Sequence, residues 1–196
     1  MSRIDDLIAP YEPRLNWERR ELHAYAGDGG RASRLISAVL ADIGMKSLER
    51  DGCVFGLPEG VRQPELWLCT RLDGERSAEI AMLLCAARTL MAEIPETPAG
   101  FAFLAEGNHL PRPAVLLETS AEVAAGSIAC RGAGEALKAA LSCCPAQMHF
   151  EEGKPEETRL TLGTGGVKRF EKDLTLLPAG AAAMLIPALL LCENRG

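Results

Sequence analysis

The chain has 196 residues, of which 47% are hydrophobic and 24% are charged. This length and composition suit one well-buried globular domain over 1–196 and argue against disorder. The formal net charge of −6 argues against nucleic acid or an anionic membrane as a partner, since no run of Lys and Arg offsets it. The N-terminus reads MSRIDD and lacks the apolar stretch of a secretory signal.

The seven cysteines lie mostly in apolar runs. An odd number of cysteines, with no C-x-x-C pair and no secretory signal, predicts buried, reduced thiols of a cytoplasmic protein. A disulfide framework or a structural zinc site has little support. We expect Cys69 and Cys85 to be chemically inert, because apolar surroundings disfavour the thiolate.

The first sixty residues predict helices followed by a hairpin. Apolar residues at helical spacing predict a helix over 2–25, divided by its two prolines, and a second helix over 31–43. Two short runs, MKSLER and CVFGLP, then flank Asp51 and Gly52. This pair accepts the positive φ values of a tight turn, so the sequence predicts a β-hairpin.

The next segment, ELWLCTRLDGERSAEIAMLLCAARTLMAE, predicts a strand, a short polar loop and a long helix. Ser77 is the predicted N-cap, because its hydroxyl can accept a hydrogen bond from an exposed amide of the first turn. The helix over 78–94 is apolar on most sides, which predicts an interior position. The loop matters because α/β proteins usually hold their chemistry between the end of a strand and a helix.

The remaining sequence continues this alternation. Short strands are predicted over 99–107, 113–118, 147–151 and 158–162, with GSIACRG after the second of them and a helix over 134–144. GTGGVKRFEKDL predicts a glycine turn and a short amphipathic helix. The apolar segment 174–192 contains two prolines and a glycine, so it predicts a buried strand rather than a membrane span. The pattern predicts a three-layer α/β/α fold around a mostly parallel mixed sheet.

Four segments, taken in order, resemble a known family: WERRELHAYAGDGGRASRLISAVLADIGM, SAEIAMLLCAARTLMAE, GFAFLAEG and LLETSAEVAAGSIACRGAG. They are similar to an Arg-Arg-x-Leu-His opening, the helix after a metal-binding Cys-Gly-His-Asp loop, the strand before a catalytic Pro-Ala-Glu-Glu, and a Leu-His strand with a Gly-Thr-Ile-x-x-Arg-x-Gly turn. These are motifs of the zinc amidohydrolases and carboxypeptidases of metallopeptidase family 20, which include hippurate hydrolase. The resemblance covers 17–134.

The resemblance implies a zinc-exopeptidase-like (phosphorylase/hydrolase-like) fold. About sixty residues follow Gly134. This remainder is short for the family's inserted lid and dimerisation domain, so the resemblance implies a catalytic-type domain without that insertion.

The resemblance also places the family's metal ligands on residues of this chain. The Cys and His positions of the metal-binding loop fall on Gly74 and Arg76. The ligand position in the pair of glutamates falls on Gly107, and the later His falls on Glu118. Three of these four positions thus lack a group that can bind zinc, because Gly has no side chain and Arg is a permanent cation.

Other residues keep a place in the implied site. Glu106 matches the general base, Asp73 an acidic residue at the end of the preceding strand, and Ser77 the loop Asp. His109 is the histidine nearest to this cleft. The predicted relic cleft is therefore lined by Asp73, Arg76, Ser77, His109 and Glu118, with Glu106 as a relic catalytic base. The alternative for Arg76 is a structural ion pair with a neighbouring carboxylate.

These replacements predict loss of zinc hydrolysis. A catalytic zinc needs about three protein donors and an open position for water, and without the ion nothing lowers the pKa of an attacking water. We expect a degenerate, peptidase-like protein without a cofactor, which binds a small acylated amino acid, a peptide or a protein partner.

Two alternatives stay open. One is an active metal-dependent amidohydrolase or peptidase with a rearranged zinc site built from Asp73, Glu106, His109 and Glu118. The other is a structural subunit without a ligand. The apolar helix over 78–94 and the apolar tail also suggest a homo-oligomer.

Overall fold

The computed structural model describes residues 2–25, 27–72, 76–144, 146–154, 156–165 and 176–193. The helices among them are α1 (Ser2–Ile8), a short 3-10 helix (Ala9–Tyr11), α2 (Glu12–Ala24), α3 (Gly29–Asp42), α4 (Ser77–Glu93), α5 (Glu135–Leu141) and α6 (Leu176–Glu193). The strands are β1 (Lys46–Arg50), β2 (Cys53–Leu57), β3 (Leu66–Arg71), β4 (Ala99–Leu104), β5 (Ala114–Ser120), β6 (Ser127–Arg131), β7 (Gln147–Glu151) and β8 (Glu157–Gly163).

The eight strands form one sheet in the order β1-β2-β4-β3-β5-β8-β6-β7. Strand β3 runs parallel to both β4 and β5, and β5 runs parallel to β8. The pairs β1–β2, β2–β4 and β6–β8 are antiparallel. The predicted α/β class with a mostly parallel mixed sheet is confirmed. The carboxyl ends of β3, β4, β5 and β8 consequently lie at one edge of the sheet.

Local signals in the first half of the sequence are also confirmed. The helical segment 2–25 is divided around its prolines into α1, the 3-10 helix and α2. Asp51 and Gly52 form the β1–β2 turn with φ values of 51° and 75°. Glycine adopts such values without steric cost and Asp tolerates them better than most residues, so this pair fixes the hairpin register.

The prediction for the C-terminal apolar segment is wrong. Leu176–Glu193 is an 18-residue α-helix with Pro187 inside it, not a strand. A long alanine-rich run favours a helix, since Ala has the highest helix propensity and strands are shorter than this. By length and mean hydropathy (1.9) the helix could cross a membrane, but 61% of it is buried inside the protein, as in a core helix. Most of the predicted amphipathic helix before it lies outside the described residues.

The two faces of the sheet are covered differently. Buried side chains of all six α-helices belong to one apolar cluster, together with strand residues such as Leu68 and Leu117. The second cluster, around Cys69 and Leu116, contains no residue from a described helix. The loop 105–113 covers that cluster through Ala105 and Leu110. Loop side chains, rather than a described helix, thus occupy the second side of the predicted three-layer arrangement.

The part of the second face that β6, β7 and β8 form is polar and open to solvent. Successive side chains of a strand point to opposite faces. In β8, Leu160 and Leu162 face the helices, so Arg159 lies on the other face and is exposed. The exposed His149 of β7 shares that face, because it aligns with Ala129 between the helix-facing Ile128 and Cys130 of β6. This part of the sheet has helices on one side only among the described residues.

A buried ion pair joins α2 to α4. The side chain of Glu18 is 1% exposed and that of Arg88 is 11% exposed, and Arg88 Nη2 lies 2.5 Å from Glu18 Oε1. Arg14 Nε lies 3.5 Å from the same oxygen, whereas Glu18 Oε2 is buried without a hydrogen bond. Burial raises the pKa of Glu18 although both guanidinium groups lower it. Keeping this carboxylate charged therefore costs free energy, and the ion pair with Arg88 offsets part of that cost.

The seven cysteines are free thiols, and only Cys143 is exposed. Burial raises the pKa of the Cys85 thiol to about 12 and raises that of Cys69 well above its ordinary value. Both thiols thus stay protonated, as their apolar neighbours in the sequence predict.

Candidate functional site

The candidate site lies at the edge where the central parallel strands end. Arg71 of β3 aligns with Leu104 of β4, and Thr70 aligns with Leu117 of β5. The segments that follow these strands therefore start at the same level of the sheet. Five of the six predicted site residues are described: Arg76, Ser77, Glu106, His109 and Glu118. Asp73 lies outside the described residues.

The start of α4 differs by one residue from the prediction. Arg76 is the N-cap, although its side chain makes no capping hydrogen bond, and Ser77 is the first helical residue. Ser77 is 8% exposed, so it is buried inside the first turn. The prediction that Ser77 caps the helix is wrong, because a hydroxyl caps from the flanking position and not from within the turn.

The first turn of α4 holds a polar cluster that was not predicted. Arg76 Nη1 lies 3.8 Å from Glu79 Oε1, and Thr119 Oγ1 of β5 donates a hydrogen bond to the same oxygen over 2.6 Å. Glu79 is 3% exposed. A carboxylate in the first turn is favoured by the helix dipole. The structural alternative for Arg76, an ion pair with a neighbouring carboxylate, is therefore what the structure shows.

A sequence signal for this cluster exists in hindsight. Glu79 is the one charged residue in the first turn of a helix whose following residues are apolar through Ala87. A charged side chain that is fully buried needs partners. Thr119 has no such signal, because its role depends on the register of β5 beside β3.

The Thr119 hydroxyl is expected to stabilise the buried Glu79 carboxylate. Replacing Thr119 by Val keeps the shape of the side chain but removes the donor, which we expect to lower the free energy of unfolding by about 1–3 kcal/mol. Thr161→Val is the matched control, since Thr161 is a half-exposed threonine of β8. We expect that control to change stability by about 0.5 kcal/mol or less. Equal effects of the two variants in urea unfolding would contradict the role given to Thr119.

Glu118 lies on the opposite face from this cluster. Thr119 points toward α4, so the preceding residue points to the second face of the sheet. There Glu118 Oε2 lies 3.9 Å from Arg159 Nη1, and Arg159 Nη2 lies 2.7 Å from Glu157 Oε1. The structure therefore does not bring Glu118 together with Arg76, although both belong to the predicted cleft.

Glu106 and His109 lie in the loop after β4. Both are exposed, and neither has a hydrogen bond or ion pair with a described residue. The loop itself is fixed: Arg71 Nη1 donates to the Asn108 carbonyl over 2.7 Å, and Asn108 Nδ2 donates to the Asp51 carbonyl over 3.4 Å. Glu106, the predicted relic base, thus lies on the solvent side of an anchored loop.

These donors do not fit a hydrolytic zinc ion. Within the described ranges, no three side chains of His, Cys, Asp or Glu converge on one point. Glu118 pairs with Arg159 on one face, and the cation Arg76 pairs with Glu79 on the other. A zinc site requires several donors at about 2 Å from the ion, and the residues that the structure describes do not provide that arrangement.

The sheet and its flanking helices define a zinc-exopeptidase-like α/β fold, which solved metallopeptidases share. The LapA aminopeptidase of Legionella pneumophila aligns with a TM-score of 0.70 at 7% identity, over 97% of this chain and 74% of LapA. YXEP of Bacillus subtilis, a dinuclear metal-binding peptidase of the M20 family, aligns with a TM-score of 0.61 at 9% identity, over 92% of this chain and 99% of YXEP.

A third solved structure, a Zn-dependent exopeptidase of Bacteroides vulgatus described as putative, aligns with a TM-score of 0.53 at 13% identity, over 86% of this chain and 94% of its own. No family model and no curated protein matches the sequence. At these identities the likeness shows the fold alone. The metallopeptidase-like fold that the four sequence segments imply is confirmed.

Proposed function

We propose that this chain is a degenerate, cytoplasmic relative of the family-20 amidohydrolases that has lost zinc hydrolysis and serves as a binding or regulatory domain. The observation that carries the proposal is that Arg76 and Glu118, which fall on two of the family's ligand positions, form ion pairs on opposite faces of the sheet. Glu118 forms an ion pair on one face of the sheet, while the other face has the Arg76–Glu79–Thr119 cluster where the family's metal-binding loop meets its helix.

The chemistry of the cluster supports binding rather than hydrolysis. A guanidinium beside the cleft repels a divalent cation, whereas it attracts a carboxylate through charge-assisted hydrogen bonds. Acylated amino acids and peptides both carry such a carboxylate. Glu106 can accept a proton, but it has no metal-bound water to activate.

Metal content tests the loss of zinc hydrolysis. In protein purified without chelator, we expect less than about 0.1 zinc per chain, because hydrolytic zinc needs about three converging donors. Added zinc is expected to produce no hydrolysis of N-acetyl amino acids or dipeptides, and Glu106→Gln is expected to behave like the wild type. One zinc per chain that is lost in Glu106→Ala and Glu118→Ala, together with turnover, would establish the rearranged metal site instead.

Ligand-induced stabilisation tests the binding function. A ligand that binds only the native state raises the midpoint of thermal unfolding, so we expect at least one N-acyl amino acid or dipeptide to raise it. The ligand-induced shift is expected to shrink in Arg76→Gln and to persist in Arg62→Gln, a control at an exposed arginine. If no compound shifts the wild type, the binding of an acylated amino acid or peptide is disproved, and a partner chain found by cross-linking would then favour a structural subunit.

A further inference from the structure

A cavity lies at the C-terminal end of α4, away from the candidate site. Its volume is about 470 Å³, which is within the range of small-molecule sites. Side chains of α1, α4, α5 and α6 line it, and Leu7, Ile94, Ile186 and Leu189 supply apolar walls. Helix α4 has 17 residues, so its two ends are about 24 Å apart at 1.5 Å per residue. The two sites are therefore separate.

The charged groups of this cavity have one sign. Glu93 at the end of α4 and Glu193 at the end of α6 line it, and no Lys or Arg whose side chain the structure describes does so. Both glutamates are exposed. Neither makes an ion pair with a described residue, unlike Glu18 and Glu79 in the same protein. The cavity therefore combines an apolar interior with two carboxylates whose charge no described cation balances.

This combination selects a particular ligand chemistry. Transfer of an apolar chain from water to such walls is favourable, and an ammonium group at its end is attracted by the two exposed carboxylates, most strongly at low salt. A fatty acid has the same chain but the wrong charge. We propose that this cavity is a binding site for a small amphiphilic amine, with an aliphatic chain among α1, α4 and α6 and its cationic nitrogen at Glu93 and Glu193.

The wall of the cavity also contains a natural reporter. Cys143, just after α5, lines the cavity and is exposed, whereas the other six cysteines are buried or half-buried. A thiol reagent is therefore expected to react first at Cys143. A ligand in the cavity is expected to slow that reaction, so the labelling rate of Cys143 reports where the ligand binds.

Three probes with the same chain and different heads test the proposal: octylamine, octan-1-ol and octanoate. At neutral pH an alkylamine is protonated, as a lysine side chain is. By isothermal titration of the full chain, we expect octylamine to bind about tenfold more tightly than octanol, and octanoate to bind most weakly. Octylamine is also expected to slow the labelling of Cys143, and raised salt to reduce its advantage over octanol.

Two double variants separate local charge from net charge. Glu93→Gln/Glu193→Gln is expected to remove the preference for octylamine while octanol binding stays within about twofold. Glu59→Gln/Glu122→Gln removes the same total charge at two exposed residues outside the cavity and is expected to keep the preference. The proposal is overturned if octanoate binds as well as octylamine, if octylamine leaves Cys143 labelling unchanged, or if the two double variants behave alike.

Discussion

Replacing Arg88 by Met is expected to lower the free energy of unfolding by about 3–5 kcal/mol, because it leaves the buried Glu18 carboxylate without its main partner. Glu18 is 1% exposed, and its Oε2 already lacks a hydrogen bond. Arg14 stays near the other oxygen, but its own side chain is 52% exposed and its contact is long at 3.5 Å. Chemical denaturation followed by circular dichroism measures the effect.

Two further variants identify the cause of that loss. Glu18→Met/Arg88→Met removes both charges and is expected to recover most of the stability, since apolar replacement of a buried pair is often neutral or stabilising. Arg159→Met removes an arginine that is 45% exposed and paired with Glu157, and is expected to cost about 1 kcal/mol or less. A double variant as unstable as Arg88→Met would show that packing, not charge, explains the effect.

The stability of Arg88→Met is expected to change with pH in the direction that the buried charge of Glu18 predicts. Burial already raises the pKa of Glu18 above its ordinary value of 4.5, and loss of the guanidinium raises it further. Above pH 4.5 the folded state then holds a proton that the unfolded state has released, so stability falls as the pH rises. The deficit relative to the wild type is expected to be smallest at low pH and to grow toward neutrality.

Gly163→Ala is expected to cost about 3 kcal/mol, the upper end of what overpacking usually costs. A Cβ at Gly163 would lie 1.9 Å from the carbonyl oxygen of Ala124, and a backbone atom cannot rotate away. The loop after β5 would have to move, although Thr164 N and Gly165 N bind it through the carbonyls of Ser120 and Val123. Thermal and urea unfolding measure the loss.

The matched control for this substitution is Gly29→Ala. Gly29 begins α3 with an ordinary backbone conformation, and a Cβ there would meet no atom within 4 Å. Alanine at such a helical position is expected to leave stability unchanged or to raise it by up to about 1 kcal/mol. If Gly163→Ala were as stable as Gly29→Ala, the close approach of the loop to β8 would be disproved.

The elements that the sequence predicts well are those whose signals are local. The Asp51-Gly52 turn depends only on the φ values of these two residues. The segment 2–25 divides at its two prolines, because proline has no backbone N–H to donate. The apolar segment 174–192 forms a helix from Leu176 and not the predicted strand, because an apolar run has no periodicity that separates a buried helix from a buried strand. Its packing against α4 belongs to the tertiary structure, which the sequence of this segment alone does not specify.

The candidate site shows the same limit more sharply. Matching motifs placed Glu118 and Arg76 in one cleft, because a linear correspondence carries no information about faces of a sheet. One residue of register decides that Thr119 reaches Glu79 while Glu118 reaches Arg159. The sequence could identify the edge of the sheet, whereas the partners of each side chain follow from strand pairing.

The one-sided packing of the helices has an evolutionary consequence. Along β6 and β8, buried residues such as Cys130 and Leu160 lie next to exposed ones such as Arg131 and Arg159. Selection for folding acts strongly on the first set and weakly on the second. Substitutions are therefore expected to accumulate at the exposed positions of these strands, such as Arg131 and Arg159, while the interior keeps its volume and polarity. Lineages with this architecture can drift far apart in sequence and still fold alike, which makes such proteins recognisable by shape long after their motifs have faded.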